Sequence, residues 1–334
     1  MKNFYYLPQD TSDILYKFPR ERIENFALLL NKLVQFHRKK SGQLEVIKKL
    51  EELSDKNKYE TWIKKLQKIT NQFVKKYQDS IKKITKDPLP FTLSWRLTIG
   101  LGSSSVYETS ITLHHIYGIP YLPGSAIKGV TRSYRILCMA EQLADPDDYY
   151  ERVALLEKFL ERFDLINKFP EWKEVKNFEV NNPEDKDKKI KFSEQLYKSL
   201  EAKQTELRTF QLIFGTQERQ GCIIFFDSFP ENFEIKYDIM NPHYGPYYTD
   251  KKPPADYYNP VPIFFLVLEN ARFIFYLGVK SKLVSAGEKE DLLKIAKKWL
   301  KEALTNYGIG AKTTLGYGVF EHRIENNKNK QLKN

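Results

Sequence analysis

Two prolines in four residues, Asp87-Pro88-Leu89-Pro90, divide this chain into parts with different hydrophobic periods. Proline lacks a backbone donor and restricts the residue before it, so a helix arriving from the N-terminal side ends here. Before the break, apolar residues recur at helical spacing. They are Ile23, Phe26, Ala27, Leu30, Leu33 and Val34 within residues 20–39, and Trp62, Leu66, Ile69, Phe73, Tyr77, Ile81 and Ile84 within residues 58–84. A shorter helix is expected over residues 44–53. After the break, Phe91, Leu93, Trp95, Leu97 and Ile99 alternate with polar neighbours, the period of a strand with one buried face. The two periods together predict an α+β fold, with a helical N-terminal extension over residues 1–88.

Charge follows the same division. Residues 1–88 hold 20 basic and 11 acidic side chains, and residues 145–206 hold 12 and 16. The net charge of +11 favours a polyanionic partner, but most of the excess sits in the helical extension. There the lysines Lys64, Lys65, Lys68, Lys75, Lys76, Lys82 and Lys83 lie opposite the apolar stripe, the pattern of a solvated helix face.

Past the first strand, Pro123-Gly124-Ser125 opens a helix with Ser125 as expected N-cap and Ile127, Val130, Tyr134, Leu137 and Cys138 as its apolar stripe. Lys128, Arg132 and Arg135 fall on neighbouring turns and form one basic face. The free amides of such an N-terminus favour an anion. The acidic stretch 145–206 reads as a mostly helical insertion, with a mobile surface loop near residues 181–191. The apolar run 221–229 reads as a central strand. Residues 263–268 and 272–279 read as two strands joined by a tight turn at Glu269-Asn270. An amphipathic helix follows over 288–306, then a last strand over 317–324 and a polar tail, 326–334. Without its insertions the order is strand, helix, strand, strand or strand pair, helix, strand. That is the split βαβ, ferredoxin-like plan.

Two segments stand outside this periodic frame. Gly308, Gly310, Gly316 and Gly318 crowd between the last helix and the last strand, with Lys312 among them. A nucleotide-binding P-loop requires the reverse order, strand then loop then helix, so nucleotide hydrolysis is disfavoured. Glycines here either let the backbone approach a partner closely or make a plain connection. Residues 238–262 form a long loop rich in proline and tyrosine. Its Tyr244, Tyr247, Tyr248, Tyr257 and Tyr258 accompany Lys251 and Lys252. Rings beside lysines suit stacking on bases and neutralising phosphates, and they equally suit a loop packed on its own tyrosines.

Other chemistries find little support. The five histidines are scattered, no metal-ligand spacing occurs, and no metal or cofactor is expected. His114 and His115 are expected to point to opposite faces of a strand. Cys138 and Cys222 sit in apolar surroundings and read as buried, reduced thiols. The first ten residues carry no apolar run of a signal peptide, and no segment reaches the length of a membrane span. A cytoplasmic location without membrane contact is the expectation.

Taken together, IPYLPGSAIKGV (119–130), FGTQERQGCIIFFDSFP (214–230) and the glycine-rich segment 308–318 resemble the RAMP superfamily of CRISPR-associated proteins. DIMNPHYGPYY (238–248), with its Asn241, His243 and Tyr244, and Asn259-Pro260-Val261-Pro262 are similar to the sixth-subunit family of the Cmr complex, the type III-B effector. The resemblance covers residues 90–324. It implies a ferredoxin-like RAMP core, akin to RNA-recognition modules, over 89–325. It also implies a non-catalytic backbone subunit that binds guide RNA, lies near the guide–target duplex, contacts neighbouring RAMP subunits and caps the filament near the guide's 3′ end. Ser125, Lys128, Arg132 and Arg135 would belong to the helix facing the guide. Gly308, Gly310, Lys312, Gly316 and Gly318 would form the glycine-rich loop, and residues 240–252 the projecting element. Members that cut target RNA use an acid in the loop after the first strand. Here Glu108 is the sole acid between Gly100 and Gly124. The competing readings are a guide-processing endoribonuclease with His114 or His115 as general base, and a helical scaffold that binds protein alone.

Overall fold

The computed structural model describes residues 4–5, 7–17, 25–39, 44–46, 56–85, 87–105, 107, 109–143, 146–185, 187–242, 247, 252–253, 259–260, 262–280 and 284–321. The N-terminal part is less helical than its periodicity suggests. Phe4–Tyr5 (β1), Gln35–Arg38 (β2) and Leu44–Val46 (β3) form a three-stranded antiparallel sheet, and Gln9–Lys17 (α1) and Phe26–Asn31 (α2) are short helices. The helix expected over 20–39 therefore stops at Asn31. Asn25 caps its start by accepting from the Leu28 amide, and pairing of Phe36 with Phe4 and Val46 takes up the chain that follows. The helix expected over 44–53 is corrected to strand at its start, and residues 47–53 lie outside the described residues. Lys56–Ile81 (α3) is the long helix that the spacing predicts.

Leu89–Leu93 (β4) begins at the two prolines. Its alternation breaks at Ser94 and Trp95, where the Ser94 amide turns to the Val319 carbonyl, and Leu97 regains the sheet through Leu268. Trp95 is consequently exposed, not buried as its place in the alternation suggests. Gly124–Glu141 (α4) follows. Its buried face is Ile127, Thr131, Ile136, Met139 and Ala140, so the stripe is rotated from the expected one. The acidic stretch folds as Tyr149–Arg162 (α5), Trp172–Val175 (α6), the hairpin Glu179–Asn181 (β5) with Lys189–Lys191 (β6), and Glu194–Ala202 (α7). The loop expected near 181–191 is thus a paired hairpin, its turn fixed by the Asn182 side chain accepting from the Glu184 and Asp185 amides.

Gln204–Phe214 (α8) leads to Ile223–Phe225 (β7), which leaves the main sheet to pair with Leu277–Val279 (β10). The apolar run 221–229 is therefore not a strand of the main sheet. That place falls to Pro230–Met240 (β8), so Asp238–Met240 are strand rather than loop. Ile263–Phe275 (β9) is one strand of 13 residues, not two joined by a turn. Asn270, at φ 51°, absorbs a bulge opposite residues 232–234, and its amide group donates to Glu234 at 3.0 Å. Ala286–Glu302 (α9) runs through a π turn into the glycine-rich segment, and Phe320–Glu321 (β11) is the last described strand.

The main sheet has the order β11-β4-β9-β8 with antiparallel neighbours throughout. A large buried cluster joins one sheet face (Phe91, Leu93, Ile235, Leu268, Phe273, Phe275, Phe320) to α4, α8, α9 and the insertion helices. A smaller cluster of Phe265, Val267 and Tyr317 lies apart from it, in keeping with strand alternation. The N-terminal part joins the same core through Phe26, Leu30, Ile63, Leu66 and Val74. Gln67 donates to the Phe233 carbonyl at 2.7 Å and Tyr77 to the Asp227 carbonyl at 2.9 Å, which fixes α3 along β8.

Candidate nucleic-acid interface

The start of α4 shows how the chain uses its own charges. Pro123 supplies no donor, and the Gly124 amide donates to the Asp227 carboxylate at 2.7 Å. A Cβ at Gly124 would meet the Phe225 carbonyl oxygen at 2.2 Å, so glycine permits this approach. Ser125 is exposed in the first turn and Pro123 holds the N-cap position. The place where helix amides favour an anion is thus taken by a protein carboxylate brought in from residue 227.

One turn on, Lys128 is half-buried, and its ammonium is held below the ordinary lysine value by burial, then by Lys280 and Arg132 nearby. Lys128 and Lys280 make no ion pair among the described residues. Arg132 does, with Glu157 at 2.7 Å and Glu161 at 3.8 Å, both on α5. Arg135 pairs with Glu206 on α8 and lies over the Trp299 ring at 4.9 Å. Of the expected basic face, two arginines hold the acidic insertion to the core, and Lys128 with Lys280 remains uncompensated. Lys280 escaped the sequence reading because it reaches this place from the end of β10, far along the chain.

The glycine-rich segment crosses the first strand beyond its hydrogen-bonded part. The Gly318 amide donates to the Arg96 carbonyl at 2.6 Å, Ala311 to Thr98 at 2.9 Å and Ile309 to Gly318 at 2.9 Å. A Cβ on Gly310 would lie 2.3 Å from the Thr98 oxygen and one on Gly318 1.8 Å from the Ile309 oxygen. These glycines are demanded by the chain's own backbone. Gly316, at φ +89°, has open space around it. Gly308 also takes a positive φ, +80°, where the π turn ends. Lys312 is left-handed at φ 61°, with its ammonium 5.2 Å from the centre of the Phe265 ring. The tip is exposed at Thr314 and Leu315.

Beside this tip the outer sheet face carries an ionic network of two cations and three carboxylates. Arg96 reaches both Asp238 and Glu269 at 2.5 Å, Lys236 pairs with Glu269 and Glu234, and the Tyr317 hydroxyl donates to Asp238. Burial alone would raise the Asp238 carboxyl, but donors from Tyr317, the Ile239 amide and Arg96 hold it below its ordinary value. Glu269 is lowered too, its burial outweighed by Lys236 and Arg96. Trp95 is 47% exposed beside this network, with the Arg96 guanidinium 4.8 Å over its ring and Tyr317 at 4.8 Å. An exposed indole flanked by a guanidinium has the chemistry of a base-stacking surface. Trp95 was missed because the strand period placed it in the core.

The base of the projecting element joins the same side, since Met240 packs on Phe265, Val267 and Tyr317. Asn241, Tyr247 and Lys252 are exposed. His243, Tyr244 and Lys251 lie outside the described residues, as does Glu108. The expected site residues therefore fall into two groups. The glycine-rich segment and the start of the projecting loop share one sheet side, and Ser125, Lys128, Arg132 and Arg135 sit on the helix behind the other.

The histidines depart from expectation. Residues 115–117 form a turn, so the His114 and His115 rings stack at 5.1 Å instead of pointing apart. Burial, then the neighbouring His115, lowers the proton affinity of His114. Cys222 is buried and Cys138 only half-buried, which corrects the expectation for Cys138. Among the described residues no group of three or more His, Cys, Asp or Glu side chains is placed to hold a metal ion, and no helix is long and apolar enough to cross a membrane.

Comparison with known proteins adds a relationship to this geometry. A profile of the RAMP superfamily matches residues 90–321. The CRISPR system Cmr subunit Cmr6 of Pyrococcus furiosus is 36% identical over 296 residues, which cover 83% of this chain and 81% of that protein. The Cmr6 subunit of Saccharolobus solfataricus is 23% identical over 266 residues, 76% of this chain and 66% of its own length. Among solved structures, the crystal structure of Cmr6 from Pyrococcus furiosus is 34% identical, with a TM-score of 0.42 over 71% of this chain and 97% of that one. A type III-B Cmr-beta complex bound to cognate target RNA contains a chain 21% identical, with a TM-score of 0.44 over 76% of this chain and 66% of that one.

Proposed function

The chain belongs to the RAMP superfamily, and from that premise we propose that it is a non-catalytic backbone subunit of a type III-B CRISPR interference complex. In this reading it binds guide RNA through backbone contacts, neighbours the guide–target duplex, contacts other RAMP subunits and caps the filament near the guide's 3′ end in the cytoplasm. The relationship to the Cmr6 subunits carries the reading. The sheet order supports a ferredoxin-like core, because it places the fourth core strand beside the first and the third between first and second, with α4 and α9 on one face. The core spans 89–325 and bears the insertion 145–206 and a projecting loop from Asn241 to residue 262. Residues 1–88 form an extension fused to the core by α3, and the polar tail 326–334 follows.

Lys128 with Lys280, and Lys312 with Trp95 and Gly316, are the contacts we assign to RNA. The first pair supplies uncompensated charge for a phosphate. The second group supplies a cation, a flat ring and open backbone. Phosphate contacts position RNA without reading sequence, so sequence preference is weak and salt dependence strong. The test is assembly of the complex with a K128A/K280A/K312A chain. Loss of guide RNA from the purified assembly is expected, and guide content equal to wild type would overturn the assignment.

One observation favours a second reading, a guide-processing ribonuclease. The stacked His114 and His115 lie together in a half-exposed turn, and His114 is biased to the neutral form that a general base requires. Incubating the chain with repeat RNA decides between them. Specific cleavage lost in H114A/H115A would establish the ribonuclease, and intact RNA leaves the structural subunit.

A further inference from the structure

The helix α3 carries a charge pattern unlike any other element described. Residues 64–83 hold seven lysines and a single acid, Asp79. The buried face of α3, with Ile63, Leu66, Thr70, Val74 and Ile81, is closed against the core, and Phe73 and Tyr77 meet Phe229 edge-to-face at 4.8 Å and 4.9 Å. All seven lysines are exposed on the opposite arc. At 1.5 Å per residue Lys64 to Lys76 extend along about 18 Å of helix axis, and Lys82 and Lys83 continue the row in the turn that follows Ile81. Lys82 meets Asp79 at 3.7 Å, whereas Lys68, Lys75, Lys76 and Lys83 make no ion pair among the described residues. The comparison with α9 is direct. That helix is also lysine-rich, but Glu288, Glu290, Asp291 and Glu302 interleave its lysines, and Lys294 and Lys298 pair along it.

We infer that the outer face of α3 is a second RNA track, holding a phosphodiester backbone by charge without reading its bases. The inference rests on the reading of this chain as an RNA-binding subunit, and it places a contact well away from the sheet and α4. A protein partner fits the face poorly. Interface cores are depleted in lysine and enriched in aromatic and apolar anchors, and the exposed residues between these lysines are Asn71, Gln72, Asp79 and Ser80. Rows of flexible point charges, held on a helix that is itself anchored at Gln67, Phe73 and Tyr77, match a regularly spaced polyanion.

The experiment uses the full chain and a labelled single-stranded RNA, with affinity measured by fluorescence anisotropy across a KCl series. The variant K68Q/K75Q/K76Q/K83Q removes four uncompensated charges from α3, and K289Q/K294Q/K298Q/K301Q removes as many from α9. The slope of log affinity against log salt should flatten by about three in the α3 variant, at 0.7–0.9 per lost contact, and stay unchanged in the α9 variant. Circular dichroism should show both folded as wild type. An α3 variant with the wild-type slope overturns the track while leaving the RNA reading intact. Equal flattening by both variants overturns it as well, since net charge alone would then be at work. An α3 variant that binds RNA normally but drops out of the assembled complex assigns the face to a neighbouring subunit instead. A wild-type chain that binds no RNA at the lowest salt overturns the RNA reading itself.

Discussion

Helices α3 and α4 both carry a row of cations, and the fold treats them in opposite ways. On α4 the two arginines face helices of the same chain, and Lys128 alone is left uncompensated. Arg132 ends on Glu157 and Glu161, Arg135 ends on Glu206, and the helix start is occupied by Asp227. Along residues 64–83 the cations face away from the core, with Asp79 the one acid in that stretch. The same residue class thus serves internal assembly on one helix and an outward face on the other. A positive charge in a sequence says little about a polyanionic partner until the acids that reach it are known. The acidic stretch 145–206 is a large part of that answer, because its glutamates pair with Arg132 and Arg135 on α4.

The sharpest way to break this contrast is to remove an α4 arginine. Arg135→Ala strands the Glu206 carboxylate beneath α4 and takes the guanidinium off Trp299, and should cost about 2–3 kcal/mol in denaturant unfolding. The folded fraction should keep its RNA affinity, whereas an equal loss of affinity would restore Arg135 to the interface. Asp238→Asn probes the ionic network on the outer sheet face and should cost about 1–2 kcal/mol near neutral pH. The lowered Asp238 and Glu269 carboxyls contribute stability that is present above the ordinary carboxylate values and lost as pH falls through their folded values. The wild type should therefore weaken as pH drops below 4.5, the ordinary glutamate value, and the variant should show a flatter acid limb in thermal melts. Asp227→Ala removes the carboxylate that caps α4 and should cost about 1 kcal/mol, read by the same unfolding experiment. The smallest stability effect belongs to α3, where neutralising Lys68, Lys75, Lys76 and Lys83 should leave unfolding within about 0.5 kcal/mol of wild type. A large loss there would show that these lysines hold the fold, as the α4 arginines do.

Much of the framework could be read from periodicity. The long helix α3, the strand start at the tandem prolines, the helix after Pro123 and the closing helix α9 all follow from local spacing. The failures share a physical cause. Where pairing partners are remote, local pattern misassigns. Residues 35–38 look helical but are held by Phe4 and Val46, and the apolar run at 221–229 gives only the short β7, paired to β10 and not to the main sheet. Asn270 looked like a turn because a left-handed residue also serves a bulge inside one long strand. Of the candidate site, the glycine-rich segment was legible as a special backbone, but Gly310 and Gly318 answer to Thr98 and Ile309 of the same chain. Lys280 and Trp95 left no local trace, one because it meets Lys128 only in three dimensions, the other because the strand bends at residues 94–95.

The contrast between the two helices is tested most directly by crosslinking. A guide RNA carrying photoreactive uridines is assembled with this chain and its partner subunits, irradiated, and the adducts are mapped by mass spectrometry. The account predicts adducts on peptides from residues 64–83 and from the glycine-rich segment around Lys312, and none on Arg132 or Arg135. Adducts confined to those two arginines, or no guide adduct anywhere on the chain, would contradict it.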